Sequence, residues 1–236
     1  MSLDKLVNSH KVLKVFLITG KYLFLSWKKQ SDIIDLKTRW SKDILNHFNI
    51  KLKIEGSPVY SASPSLFIGN HISYLDIPLL LQGHPEVAFV SKKEVGRWPV
   101  IGSAAKKMKT IFVERSSRAS RNRAKEKITE SLLENKAQIA IFPSGTTSLL
   151  ISSEWRKGVF EIAKNENISV QPFRIRYNPP RAAAYIYDDN LLIHMLQLFS
   201  LKRMDAFLEF HEPVSINSIT DDCEYWKQWA EQTDIF

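Results

Sequence analysis

His71 and Asp76 stand five residues apart in the run GNHISYLDIPLLL. A histidine whose ring is held by a carboxylate is the usual general base near neutral pH, able to take a proton from a hydroxyl and return it to a leaving group. The spacing alone is weak, because six His and eleven Asp in 236 residues give roughly 0.3 such pairs by chance. Ser73 and Asp76 also form S-x-x-D, which serves equally as a capping box opening a helix. Location says more: the pair lies between a strand-like run, SLFIG, and a helix-like one, where ligands bind in α/β sheets. AIFPSGTTS is a second loop of this kind. Gly145 lets backbone N–H groups approach a ligand, and Ser144, Thr146, Thr147 and Ser148 add hydroxyls, so the loop can cradle a phosphate or an oxyanion. Pro-Ser-Gly is also ordinary turn chemistry. Ser144 with His71 and Asp76 would make a serine hydrolase or esterase working through an acyl-enzyme. The chain lacks its G-x-S-x-G elbow, as it lacks a Walker loop and H-E-x-x-H. Arg115 follows the run TIFVE, a position from which a guanidinium grips phosphate.

Such loops need a scaffold that delivers several strand ends to one place. Strand-like runs recur as KLKIEG, SLFIGN, VAFVSK, KTIFVER, AQIAIFP, ISVQPFRI, AAAYIYD and AFLEFHEP. Helix-like segments follow at about 73–82, 97–107, 117–135, 155–165 and 190–199. The alternation predicts an α/β domain over 51–236, a mostly parallel sheet flanked by helices, with the ligand beyond the carboxyl ends of the strands. Residues 1–50 read as an N-terminal amphipathic helical pair. In its first part Lys14 and Lys21 interrupt VFLITG and YLFLSW, so no run reaches the roughly 18–20 apolar residues of a spanning helix, and no A-x-A-like cleavage site follows. Lys11, Lys14, Lys21 and Lys28 fall within an arc of roughly 100°, with Val12, Val15, Phe16, Tyr22, Leu23 and Trp27 largely outside it. That pattern fits a helix lying in a lipid headgroup region, or one packed on its own domain with lysines in water. In the second part Ile33, Leu36, Trp40, Ile44, Leu45 and Phe48 keep helical spacing over 32–49.

The chain is 44% hydrophobic and 25% charged, with 8 Gly and 10 Pro, which allows a sizeable core and excludes collagen-like and low-complexity classes. Cys223 is the only cysteine; an internal disulfide framework and a multi-thiolate zinc site are excluded, and a reducing compartment fits. The net charge is +8, and it is uneven: residues 1–127 carry 23 Lys+Arg against 10 Asp+Glu, residues 128–236 carry 10 against 15. An anionic partner follows, whether lipid, nucleic acid or a phosphate-bearing molecule or carrier. Lys92, Lys93, Lys106, Lys107 and Lys109 read as a solvated basic surface. Arg118, Arg121, Arg123, Lys125 and Lys127 invite a nucleic-acid reading that no recognisable module or interleaved aromatic platform supports.

Taken in order, these pieces resemble the glycerophospholipid acyltransferase family typified by 1-acylglycerol-3-phosphate acyltransferases, over about residues 66–175. NHISYLD resembles the family's N-H-x4-D block, and KKEVGRWPVIG running on to IFVER its second block. FPSGTTS resembles the third, F-P-E-G-T-R-S; WRKGVFEIA followed by VQPF resembles the Lys-Gly segment and the fourth block, at Lys157, Gly158 and Pro172. The resemblance implies an α/β sheet domain with an N-terminal membrane-contacting helical element, peripheral or monotopic at the cytoplasmic face. It implies that His71 deprotonates an acceptor hydroxyl, that Asp76 supports the imidazolium, and that Asn70 shapes the turn presenting His71. Arg115 would bind acceptor phosphate, with Ser144, Gly145, Thr146 and Lys157 also on the substrate side. The hydroxyl would attack an acyl-CoA or acyl-carrier protein thioester, with no metal, no further cofactor and no nucleic acid. The expected reaction converts 1-acylglycerol-3-phosphate to phosphatidic acid. Ser144 and Thr147 stand where the family has Glu and Arg, which opens an alternative acceptor, a lysolipid with a larger or amino-acid-containing headgroup. Lys109 stands where the second block often has Gly, either offsetting the lost charge or simply at the surface.

Overall fold

The computed structural model describes residues 3–28, 30–60, 64–114, 116–149, 154–186 and 189–232. Two helices, α1 (Leu3–Leu25) and α2 (Ile33–His47), lead into strand β1 (Ile50–Glu55). The rest alternates: β2 (Ser65–Gly69), α3 (Asp76–Gly83), β3 (Ala88–Lys92), a 3-10 turn at Lys93–Arg97, α4 (Ile101–Lys107), β4 (Ile111–Val113), α5 (Arg118–Leu133), β5 (Gln138–Ile141), α6 (Gly158–Asn165) and β6 (Val170–Asn178). The short α7 (Pro180–Ala183), α8 (Leu191–Leu198), β7 (Met204–Phe210) and α9 (Ile219–Glu231) complete it. The strands form one seven-stranded sheet in the order β1-β7-β6-β2-β5-β3-β4. Every neighbouring pair is parallel except β6 with β7. The expected mostly parallel sheet with flanking helices is therefore present.

The central strand shows why. Every residue of SLFIG in β2 is buried, as a strand covered on both faces requires. Successive side chains point to opposite faces. Phe67 joins a core with Val12 of α1, Ile44 of α2, Leu79 of α3 and Met195 of α8. Leu66 and Ile68 join the other core, with Leu132 of α5, Phe160 of α6 and Trp226 of α9. With helices on both faces, the open carboxyl ends of β2, β5 and β6 are left for a site.

Two local departures from expectation have clear causes. AAAYIYD does not add a strand: Pro180 opens α7 and Ala184 N–H closes it onto Pro180 O at 3.1 Å, a proline-first helical turn. The next amides dock sideways, Tyr185 N–H donating to Ile72 O at 3.1 Å rather than to a ladder; residues 187 and 188 of the run lie outside the described residues. Helix α9 has no counterpart in the expected elements, although Ser218 caps it by accepting from Asp221 N and Cys223, Trp226 and Ala230 line its buried face.

Lys109 answers the question its position raised. Thr110 N–H donates to Ala105 O and Lys109 N–H to Lys106 O, both at 3.0 Å, the Schellman closure of α4. Lys109 therefore sits at φ +60, the left-handed conformation that glycine adopts without penalty. A glycine at this point would serve backbone geometry.

Helix α1 buries Val12, Thr19 and Tyr22 against the domain, with Tyr22 Oη donating to Asp43 Oδ2 at 2.7 Å and Trp40 Nε1 to Thr19 Oγ1 at 3.2 Å. The basic stripe is partly engaged: Lys11 Nζ donates to Phe199 O at 3.3 Å and Lys21 lies 3.6 Å from Asp43. Leu13, Leu17 and Phe24 form an outward row within an arc of about 40° at 100° per residue, each more than half exposed, beside the exposed Lys14, Lys21 and Lys28. Among the described residues no helix is long and apolar enough to cross a membrane.

Candidate active site

The chain must turn sharply between β2 and α3, and Gly69 makes this possible. A Cβ there would stand 2.4 Å from the Phe173 ring and from Phe173 O on β6, so only glycine lets the strands converge. Asn70 then extends the pairing with its side chain: Nδ2 donates to Ile175 O and Oδ1 accepts from Ile175 N–H, both at 2.8 Å. The turn-shaping expected of Asn70 thus takes the form of a clamp between the β2 end and β6.

Asp76 opens α3 and is fully buried, while His71 keeps a side-chain exposure of 19%. His71 Nδ1 lies 2.7 Å from Asp76 Oδ2. The same oxygen accepts the amides of Ile72 at 2.7 Å and Ser73 at 3.0 Å. The S-x-x-D pairing does not cap α3, whose N-cap is Leu75 without a side-chain hydrogen bond: Asp76 takes the Ser73 amide in the turn before the helix, and the Ser73 hydroxyl is buried with no partner among the described residues. One carboxylate ties this turn and supports the histidine. The fourth donor is Tyr177, whose Oη lies 2.6 Å from Asp76 Oδ1.

The β5 loop closes over the imidazole. Phe142 stacks on His71 with centroids 4.0 Å apart and planes at 13°, and Ser148 N–H donates to His71 O at 2.8 Å. Gly145 has φ +70, the conformation glycine supplies to a tight turn, and its N–H closes that turn onto Phe142 O at 3.0 Å. Ser144 Oγ donates to Thr146 O at 2.8 Å, and Thr147 Oγ1 donates to Tyr185 O. The structure thus brings Asn70, His71, Asp76, Ser144, Gly145 and Thr146 into two loops joined backbone to backbone. Lys157 points elsewhere: its Nζ donates to Thr220 Oγ1 at 3.0 Å, at the start of α9. Arg115 lies outside the described residues.

Four residues of the site's surroundings escape the sequence reading. Tyr177 shares a face with Phe173 and Ile175 by the strand period of two, and that period was the signal that could have found it. Phe142 was visible only as part of a motif. Tyr74 and His194 form a buried link beside the turn, Tyr74 Oη donating to His194 Nδ1 at 3.1 Å while His194 Nε2 donates to Ala184 O at 2.9 Å. Burial, above all, lowers the pKa of His194 and keeps it neutral. Among the described residues no three His, Cys, Asp or Glu side chains gather as a metal would require.

A histidine supported by a buried carboxylate at a strand end serves many chemistries. The Acyltransferase family model matches residues 51–176, which span β1 through most of β6. The chain belongs to the Acyltransferase family. This acyltransferase is 31% identical over 193 residues to the lyso-ornithine lipid O-acyltransferase of Pseudomonas aeruginosa, covering 78% of this chain and 73% of that one. It is 28% identical over 231 residues to the lyso-ornithine lipid O-acyltransferase of Brucella abortus, covering 89% and 84%. Its fold matches the crystal structure of the 1-acyl-sn-glycerophosphate acyltransferase PlsC from Thermotoga maritima with a TM-score of 0.71 at 20% identity, over 96% of this chain and 93% of that one.

Proposed function

We propose that this acyltransferase works at a membrane surface, moving a fatty acyl chain from an acyl thioester, acyl-CoA or acyl-carrier protein, to the free hydroxyl of a lysolipid. The observation that carries this reading is the 2.7 Å contact between His71 Nδ1 and Asp76 Oδ2 at the open end of the central strand. With Nδ1–H given to Asp76, Nε2 is the basic nitrogen. It takes the acceptor proton as the hydroxyl oxygen attacks the thioester carbonyl. The tetrahedral adduct collapses by breaking the C–S bond, and the imidazolium returns the proton to the departing thiolate. An ester and a thiol leave, and no acyl-enzyme forms. The Gly145 amide is already engaged by Phe142 O, so the Thr146 amide is the member of that pair offered to the oxyanion. Ser144 Oγ donates to Thr146 O, which gives the hydrolase reading no support.

The acceptor we assign is an amino-acid-headgroup lysolipid of the lyso-ornithine type rather than 1-acylglycerol-3-phosphate. A phosphate dianion calls for cations. Thr147 stands where the family arginine would, with its hydroxyl on Tyr185 O, and the Lys157 ammonium is directed to Thr220, so Arg115, outside the described residues, is the one cation left of the expected set. A headgroup carrying both charge signs needs no net positive pocket, and the names of the Pseudomonas and Brucella relatives support this choice. The purified chain, offered lyso-ornithine lipid and lysophosphatidic acid with labelled acyl-CoA or acyl-carrier protein, is expected to give a kcat/KM at least about tenfold higher for the lyso-ornithine lipid. Equal or reversed preference returns the phosphate acceptor.

The membrane surface is read from the outward row of α1 with Trp27, and from Leu192 and Ile193 on α8, all exposed. The arrangement is that of an interfacial element, docked at the cytoplasmic face without crossing it. Vesicles containing anionic lipid should float the protein, and Leu17→Glu with Phe24→Glu should cut the bound fraction several-fold with the fold intact. Equal flotation of the double variant would overturn the assignment.

A further inference from the structure

We infer that Tyr177 is a positioning residue for proton transfer: its phenol proton, given to Asp76 Oδ1, fixes the carboxylate that aims His71. The inference rests on His71 being the base. Tyr177 ends the buried part of β6 and is 1% exposed, with its Oη 2.6 Å from Asp76 Oδ1. The other carboxylate oxygen already receives His71 Nδ1–H and the Ile72 and Ser73 amides. Each oxygen of Asp76 therefore has its own donors. A carboxylate turns about a broad, roughly two-fold terminal torsion, and with Oδ1 unmet the donors on Oδ2 alone would leave the other oxygen to pivot about that anchor. Tyr177 removes that freedom.

The strand that carries Tyr177 is itself fixed. Asn70 holds Ile175, two residues earlier, by both its amide and its carbonyl at 2.8 Å. Residues 70 and 76 of one turn thus grip residues 175 and 177 of one strand. Burial first, and then the charge of Asp76, raise the Tyr177 phenol well above its ordinary pKa, so it remains a donor wherever His71 can act as a base. Of the other titratable groups nearby, burial raises the Tyr74 phenol and keeps His194 neutral, while Arg174 and Arg176 on the same strand pair with Glu209 of β7. None of them competes as a cation for Asp76.

The test is Tyr177→Phe, which keeps the ring and deletes the donor, read first without substrate. A hydrogen bond to Oδ1 disperses charge that otherwise faces the imidazole, so its loss strengthens the pull of Asp76 on Nδ1–H. The Nδ1–H proton of His71, followed by NMR of labelled histidines and assigned through His71→Ala, should move downfield. In turnover, kcat should fall about tenfold with acceptor KM within about twofold. In an Asp76→Asn background Tyr177→Phe should change kcat little, because it acts through Asp76. Should Tyr177→Phe not fold, 3-fluorotyrosine at 177 keeps the hydroxyl, strengthens the donor and should move the His71 Nδ1–H resonance upfield. An unmoved Nδ1–H resonance in the folded variant, or an undiminished effect in the Asp76→Asn background, overturns the proposal. A shifted resonance together with an active His71→Ala enzyme would instead retain the Tyr177 link and reject His71 as the base.

Discussion

The two loops that meet at the site are built on opposite plans. In the turn from Asn70 to Asp76, one carboxylate gathers four donors, from His71, Ile72, Ser73 and Tyr177, at 2.6–3.0 Å. Hydrogen bonds to a charged group contribute about 1.5–3 kcal/mol each, so the pose of His71 is determined many times over. In the loop from Phe142 to Ser148 the backbone is tied just as firmly, through Gly145 N–H to Phe142 O and Ser148 N–H to His71 O. Its side chains are not: two neutral hydroxyls bond to nearby carbonyls, Ser144 to Thr146 O and Thr147 to Tyr185 O. The first loop carries interdependent groups that cannot be exchanged singly. In the second, the side chains can change while the backbone frame stays, which is how a family can keep one reaction and vary its acceptor.

The largest effect should come from the first loop. His71→Ala is expected to lower kcat by about 10³-fold, within the range that a positioned general base supplies, with the melting temperature little changed because His71 is partly exposed and its main chain is held by Ser148. Asp76→Asn should cost less in rate than His71→Ala, since the base survives in a poorer orientation, yet more in stability, since a fully buried acceptor would face the Ile72 and Ser73 amides with a group that also donates. Turnover with the best acceptor and thermal unfolding measure both. Near wild-type turnover of a folded His71→Ala protein would remove the base from the mechanism.

Much of this plan is legible in the sequence because it depends on local order. The strand runs, the helix after Asp76, the HisxxxxAsp pair and the glycine of FPSGTTS are each decided within a few residues, and the sheet follows from their alternation. What the sequence withheld depends on distance along the chain or on the aim of a long side chain. Tyr177 meets Asp76 across 101 residues, and only the register of β6 against β2 brings them together. Lys157 is in the expected segment, but its flexible stem carries the ammonium to Thr220 on α9, an element the sequence reading did not anticipate. The AAAYIYD run shows the reverse failure: its composition permits a strand, while Pro180 and the docking of Tyr185 on Ile72 make it a brace for the turn that carries His71. On α1 and just past its end the lysine stripe and the apolar residues share the outer side: Lys14, Lys21 and Lys28 are exposed beside Leu13, Leu17 and Phe24, while Lys11 bonds to Phe199 O within the domain.

A smaller effect, and the one that tests the second loop, comes from restoring the family's charges with Ser144→Glu and Thr147→Arg. A guanidinium and a phosphate form paired, charge-assisted hydrogen bonds, so the preference for lysophosphatidic acid over lyso-ornithine lipid should rise by about tenfold, the worth of one such contact after solvation. Ser144 is 6% exposed, and a carboxylate there without its cation would be unfavourable, which is why the two changes belong together. Thr147→Arg alone, at a half-buried position, controls for misfolding and should move the preference in the same direction by less. The rate with the best acceptor should stay within a few-fold, because the backbone tie from Ser148 to His71 does not involve either side chain. If the ratio of kcat/KM values does not move in the folded variants, the acceptor is chosen elsewhere and the difference between the two loops is one of structure only.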